Sequence, residues 1–293
     1  MYKQMIIGLQ GLTLTDEERD WLQSRPPLGV ILFARNIESP GQVKALLDEV
    51  RAATGEQTWA AIDEEGGRVN RMPWAPFNNR KQAAEYGRLF RSDPADAIQQ
   101  VYDDAYTTGE ALKALGFTHN CAPVLDVYHE SGDAIIGERA YSDSMPMVTA
   151  LGGACVQGLQ AAGIAAVGKH FPGHGRANAD SHVAIPEVDI DRDELVIEMD
   201  PFKILAIAGG LEHIMTAHVR YTAVDEEVAT LSPYWLQDVL RDEFGYEGRI
   251  WSDDLCMKGV GNDPRSAADA ARAAGCDVLL VCEPAGVRLF YDL

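Results

Sequence analysis

Short apolar runs alternate along this chain with longer segments in which apolar positions return every three or four residues, a pattern that predicts parallel strand–helix units. Eight runs read as strands, at residues 5–9, 30–33, 58–62, 118–122, 164–167, 213–217, 249–252 and 277–282. Residues 15–23, 42–53, 96–115, 147–162, 193–208, 233–244 and 265–274 read as the intervening helices. Gly55, Gly116, Gly163, Gly209, Gly245 and Gly275 stand where helices commonly end.

Eight strands in alternation with helices predict a single-domain (β/α)8 barrel of the TIM type over residues 1–293, with its site on the loops that follow the strands. The rival is a doubly wound open sheet, but the chain has neither a G-x-G-x-x-G turn nor a Walker-type phosphate loop. The polar residues agree with a barrel. Asp63 ends the third run, residues 120–126 follow the fourth, Lys169 and His170 end the fifth, His218 the sixth, and Asp253 and Asp254 the seventh. The long irregular stretches expected at 64–95 and 123–144 fall on the same side.

The densest chemistry lies in residues 169–182, Lys-His-Phe-Pro-Gly-His-Gly-Arg-Ala-Asn-Ala-Asp-Ser-His, which Pro172, Gly173 and Gly175 keep from forming a helix. His170, His174, Asp180 and His182 could be metal ligands, but the four-residue spacing of His170 and His174 suits a zinc motif only on the helix that the sequence forbids. The preferred reading assigns no metal and pairs Asp180 with His182. Two residues apart on an extended segment they face the same side, where the carboxylate can hold the imidazole in one tautomer for proton transfer. Asp253 reads as a carboxylate at the barrel mouth or as an acid starting the next helix. Around the turn at Gly66 and Gly67, Asp63 with Arg68 and Arg71 offers a clamp for hydroxyls.

Charge narrows the partners. With 25 Lys and Arg against 45 Asp and Glu, the net charge of −20 argues against nucleic acid and against anionic membrane surfaces, and favours a small-molecule substrate. Arg68, Arg71, Arg139 and Lys169 are the residues able to reverse the field locally. The five cysteines show no C-x-x-C spacing, which fits a reducing cytoplasm, and neither a signal peptide nor a membrane span is read.

The segments Ile-Asp-Glu-Glu-Gly-Gly-Arg-Val-Asn-Arg (62–71), Lys-His-Phe-Pro-Gly-His-Gly (169–175), Asp-Ser-His (180–182), Met-Thr-Ala-His-Val (215–219) and Trp-Ser-Asp-Asp-Leu-Cys-Met (251–257) together resemble glycoside hydrolase family 3. Within it, the likeness is to the single-domain bacterial β-N-acetylglucosaminidases of peptidoglycan recycling. The resemblance implies that Asp253 is the nucleophile, that His182 is the general acid/base with Asp180 as its partner, and that Asp63, Arg71, Arg139, Lys169 and His170 hold the terminal sugar. It also implies a cytoplasmic enzyme without a cofactor, acting on 1,6-anhydro-muropeptides. Alternatives are a β-glucosidase or glycosyl phosphorylase of the same family, and a non-catalytic sugar-binding protein. Two departures stand out: Cys256 replaces a serine, and the last helix is expected to be short or incomplete, leaving one side of the barrel bare or covered by another subunit. The oligomeric state is not legible.

Overall fold

The structure, a computed structural model, describes residues 1–179 and 185–291. In chain order the strands are β1 (Met5–Gly8), β2 (Gly29–Leu32), β3 (Trp59–Ile62), β4 (His119–Asn120), β5 (Ala165–Phe171), β6 (Glu187–Val188), β7 (His213–Thr216), β8 (Arg220–Tyr221), β9 (Arg249–Asp254) and β10 (Val278–Val281). All except β6 and β8 close into a parallel barrel in the order β1-β2-β3-β4-β5-β7-β9-β10, and β10 pairs back onto β1 through Met5 and Leu279. Each expected strand is therefore a barrel strand. The small pair β6–β8 ties the segment after β5 to the loop after β7.

The helices are α1 (Asp16–Ser24), α2 (Pro40–Thr54), α3 (Ala83–Phe90), α4 (Pro94–Leu115), α5 (Met145–Ala161), α6 (Val196–Ala208), a π-type helix at Tyr234–Glu243, α7 (Pro264–Ala274) and α8 (Pro284–Tyr291). Their starts are written in the sequence. Ser39, Asp93 and Asp263 each precede a proline, and their side-chain oxygens accept the N–H of Gln42, Asp96, and Arg265 with Ser266. A capping residue followed by proline at the first helical position satisfies one donor and removes another.

Two elements depart from the sequence reading. Helix α3 lies inside the stretch 64–95 read as irregular. Gly87 within it serves packing: a Cβ there would stand 1.7 Å from the Tyr141 carbonyl oxygen. The final helix is short at eight residues, yet it covers its side of the barrel. Phe290 and Tyr291 are buried, the Tyr291 ring stacks on Trp21 at 5.1 Å, and the Tyr2 hydroxyl donates to the Phe290 carbonyl at 2.6 Å.

Inside the barrel, Ile6, Ile31, Ala61, Cys121, Val167, Met215, Val278 and Leu280 form a packed layer. Beneath it, at the N-terminal ends of the strands, Trp59, His119, His213 and Trp251 stack and edge against one another with centroids 4.2 to 5.9 Å apart. Burial lowers the His119 pKa to about 3 and that of His213 to about 4, so both rings are neutral and serve as packing. Trp251 donates its indole N–H to His213 Nδ1 at 3.1 Å.

Candidate active site

At the opposite end, the strand termini surround a cavity of about 230 Å³ whose lining includes Asp63, Glu65, Arg71, Arg139, Lys169, His170, His174, Asp253 and Asp254. Phe33, Val69, Ile135, Met215 and Met257 supply apolar wall. The position is the one a barrel dictates, since side chains at the C-terminal ends of strands project beyond the packed interior.

One wall is an ion-pair chain. Lys169 on β5 places Nζ 2.7 Å from Asp63 Oδ1 and 2.8 Å from Glu65 Oε1. Arg139 grips Glu65 through Nε at 2.8 Å and Nη2 at 2.9 Å, and Arg71 Nη2 lies 3.5 Å from Asp63 Oδ2. Burial opposes charge on Glu65, Lys169 and Arg139, but the attraction of Asp63 and Glu65 for Lys169, and of Glu65 for Arg139, wins. The Glu65 carboxyl stays well below its usual range and both cations stay above theirs. Arg68 takes a different course. It turns away from Asp63 to donate to the carbonyls of Ala134, Ile135 and Ile136 and to pair with Glu138 at 3.0 Å, fastening the loop that carries Arg139.

Behind Lys169 sits a second buried system. The strand β5 runs on to Phe171, past the expected end at residue 167, and it shifts register against β7 between Lys169 and Phe171. The Lys169–His170 peptide is cis, as is Phe171–Pro172. Asp126, fully buried, accepts the backbone N–H of His170 at 3.2 Å and of His174 at 2.7 Å on Oδ1, and faces His170 Nδ1 at 2.7 Å with Oδ2. The loop is pressed close at Gly175, where a Cβ would meet the Val127 carbonyl oxygen at 1.7 Å. The His170 and His174 rings meet at 63° with centroids 5.7 Å apart, and burial lowers the His174 pKa to about 4.

The third element is the adjacent pair of acids ending β9. Asp254 Oδ1 accepts the N–H groups of Cys256 at 3.0 Å and Cys282 at 2.9 Å, stapling β9 to β10, and burial raises its pKa. For Asp253 burial also opposes ionisation, but His218, His170, the Asp254 N–H and Lys169 hold its carboxyl below the ordinary value. Among the described residues, its carboxylate accepts one hydrogen bond, from the Asp254 N–H at 2.7 Å. His218, itself buried, donates from Nε2 to the Asp254 carbonyl at 2.9 Å, and its Nδ1 lies 2.8 Å from the Thr230 hydroxyl. Cys256, the departure from serine, takes part through its backbone N–H, which any residue there would supply.

The structure thus brings together Asp63, Arg71, Arg139, Lys169, His170 and Asp253 in one cavity. Asp180 and His182 lie outside the described residues. Glu65, Asp126 and His218 are not among the site residues assigned from sequence, although Glu65 and His218 lie within the quoted motifs just after barrel strands.

A (β/α)8 barrel whose mouth holds paired acids and a chain of carboxylates and cations has the groups that a glycoside hydrolase needs. The chain belongs to glycosyl hydrolase family 3, whose N-terminal domain pattern matches residues 3–291. It is 42% identical over 284 residues to a beta-hexosaminidase of Methylobacillus flagellatus, covering 95% of this chain and 80% of that protein. To a beta-hexosaminidase of Pseudomonas aeruginosa it is 40% identical over 284 residues, covering 96% and 83%. NagZ from Neisseria gonorrhoeae, solved in complex with N-trifluoroacetyl-D-glucosamine, superposes with a TM-score of 0.91 at 34% identity, covering 99% of this chain and 84% of that one. No described helix is long and apolar enough to cross a membrane.

Proposed function

We propose that this glycoside hydrolase is a retaining exo-β-N-acetylglucosaminidase that removes non-reducing N-acetylglucosamine from 1,6-anhydro-muropeptides in the cytoplasm. The observation that carries the reading is the division between the two neighbouring acids of β9. Asp253 is held ionised at the cavity wall, while Asp254 is engaged by two backbone N–H groups and pushed toward its neutral form. Neighbouring carboxyls whose environments drive their pKa values apart mark separate roles.

In this mechanism Asp253 attacks the anomeric carbon as the glycosidic bond breaks, and His182 delivers a proton to the departing oxygen. The neutral imidazole then takes a proton from water, which attacks the glycosyl-enzyme, releases Asp253 and returns the sugar with its original configuration. Asp180 orients the His182 ring and supports its protonated form. Asp63 and His170 accept or donate to sugar hydroxyls, and Arg71, Arg139 and Lys169 supply the opposing donors. A cavity of about 230 Å³ suits one sugar ring at the end of a chain. The two beta-hexosaminidases and the N-trifluoroacetyl-D-glucosamine complex of the gonococcal relative support an N-acetyl sugar over glucose.

The test is hydrolysis of matched aryl N-acetylglucosaminide and aryl glucoside, with and without phosphate, in wild type and His182→Ala. The expected result is preference for the N-acetyl sugar, no sugar 1-phosphate, and a His182→Ala defect that grows as the leaving group becomes a weaker acid. Preference for the glucoside, phosphorolysis, or a defect equal for all leaving groups would each overturn a named part of the assignment.

A further inference from the structure

One buried carboxylate in the pocket has no part in the roles above. Glu65 is 6% exposed in its side chain, and it meets Lys169 and Arg139 at once, with contacts of 2.8, 2.8 and 2.9 Å. Asp63, Glu65, Asp253 and Asp254 line the cavity together with three cations, Arg71, Arg139 and Lys169. Among these acids Glu65 is the one that takes the forked edge of Arg139 while also meeting Lys169.

The donors can be followed individually. Lys169 has three N–H groups, of which one goes to Asp63 and one to Glu65. Arg139 spends its Nε and Nη2 edge on Glu65, and Nη1 donates to the Ile135 carbonyl at 2.9 Å. The two-pronged edge of a guanidinium is the feature that matches a phosphate or carboxylate, and beside an ammonium it makes a strong anion site. Here that edge is filled from within the protein.

We propose that Glu65 is a specificity-determining positioning residue: by occupying Lys169 and the forked edge of Arg139, it keeps a sugar pocket lined with three cations from binding anions. Neutral sugars with hydroxyl groups are then admitted, while phosphate and phosphorylated or acidic sugars are refused. The proposal rests on reading this cavity as the sugar site. A purely structural ion pair would instead give lower stability on its removal and no gain in anion affinity.

The experiment is calorimetric titration of inorganic phosphate into wild type, Glu65→Gln and Glu65→Asp, with the same phosphate tested as an inhibitor of aryl N-acetylglucosaminide hydrolysis. Glu65→Gln keeps the shape and removes the charge. It should bind phosphate at least about tenfold more tightly than wild type, a change worth about 1.4 kcal/mol, and inhibition should be competitive with a raised KM. Glu65→Asp keeps the charge and should bind phosphate as weakly as wild type. Glu65→Gln with Arg139→Gln also removes the forked donor and should lose the gained affinity. Glu65→Ser, which removes the charge and leaves room for water, is measured beside the glutamine variant so that the result does not depend on one protein folding. Phosphate affinity unchanged within about twofold in the folded neutral variants, or a gain shared by Glu65→Asp, would overturn the proposal. Calorimetry needs no turnover, so failure to cleave the N-acetylglucosaminide would sink the functional reading and leave this result to stand or fall by itself.

Discussion

Asp126 and His170 are 44 residues apart and joined by a contact of 2.7 Å between Oδ2 and Nδ1, both groups buried beneath the sugar pocket. The carboxylate fixes the ring with Nδ1 as the donor and leaves Nε2 for the cavity. Its other oxygen collects two backbone N–H groups of the loop that follows. Asp126→Asn should therefore lower kcat/KM by about ten- to a hundredfold, since losing a buried charge-assisted hydrogen bond costs about 1.5–3 kcal/mol. The acid limb of stability should shift too. Burial alone would raise the Asp126 pKa, but His170, His174 and the N–H bonds lower it, so its contribution is present above the unfolded value and lost as pH falls through the folded one. Denaturation midpoints followed down into that acidic range should fall more steeply for wild type than for Asp126→Asn. Parallel curves would show that the bond adds nothing to stability.

Asp253→Ala should abolish turnover with little loss of stability, because among the described residues its carboxylate accepts one local hydrogen bond. Asp254→Ala should show the reverse balance, a smaller loss of activity and a stability loss of about 1–3 kcal/mol, because it leaves the Cys256 and Cys282 N–H groups without their acceptor. Steady-state kinetics and denaturant melts of the two variants decide it, and equal losses of activity would remove the distinction between them.

Glu64, fully buried, has its pKa raised to about 7 by desolvation, against weaker opposition from the Arg71 N–H and from Arg80. Folded protein holds this proton to higher pH than the unfolded chain does, so stability falls as pH rises between the unfolded value near 4.5 and about 7. Glu64→Gln removes that slope. Relative to wild type it should gain about 1–3 kcal/mol between pH 5 and pH 8, read by chemical denaturation at both values; an equal difference at both would locate the titration elsewhere.

Asp63→Ala should raise KM and lower kcat together, by roughly a hundredfold in kcat/KM, because contacts remote from the breaking bond help position the transition state. Lys169 retains Glu65 at 2.8 Å, so the ammonium is not left alone and folding should survive. A variant with altered melting and unaltered kinetics would mean that Asp63 only shapes the turn.

The barrel was legible because each strand is a short apolar run between amphipathic segments, and Asp63, Lys169, His170 and Asp253 were legible because they close such runs. Asp126 was harder to see. It lies within Pro-Val-Leu-Asp-Val, an apolar context that offers no reason to expect a buried carboxylate until His170 arrives from the neighbouring strand. Arg68 misled in the other direction: its spacing from Asp63 fits a clamp, but the loop at 134–136 supplies three carbonyls that the sequence does not place nearby. Local patterns show which face of an element is buried, while partners separated by dozens of residues depend on closure of the barrel.

The ring-on-ring packing of Trp59, His119, His213 and Trp251 under the core has a consequence for traffic. With that end filled, the described residues leave the cavity beside Asp253 facing the C-terminal ends of the strands. In the two-step reaction proposed above, the leaving group would depart toward that side and water would arrive from it, so an alcohol held there would compete with water for the glycosyl-enzyme and receive the sugar in its place.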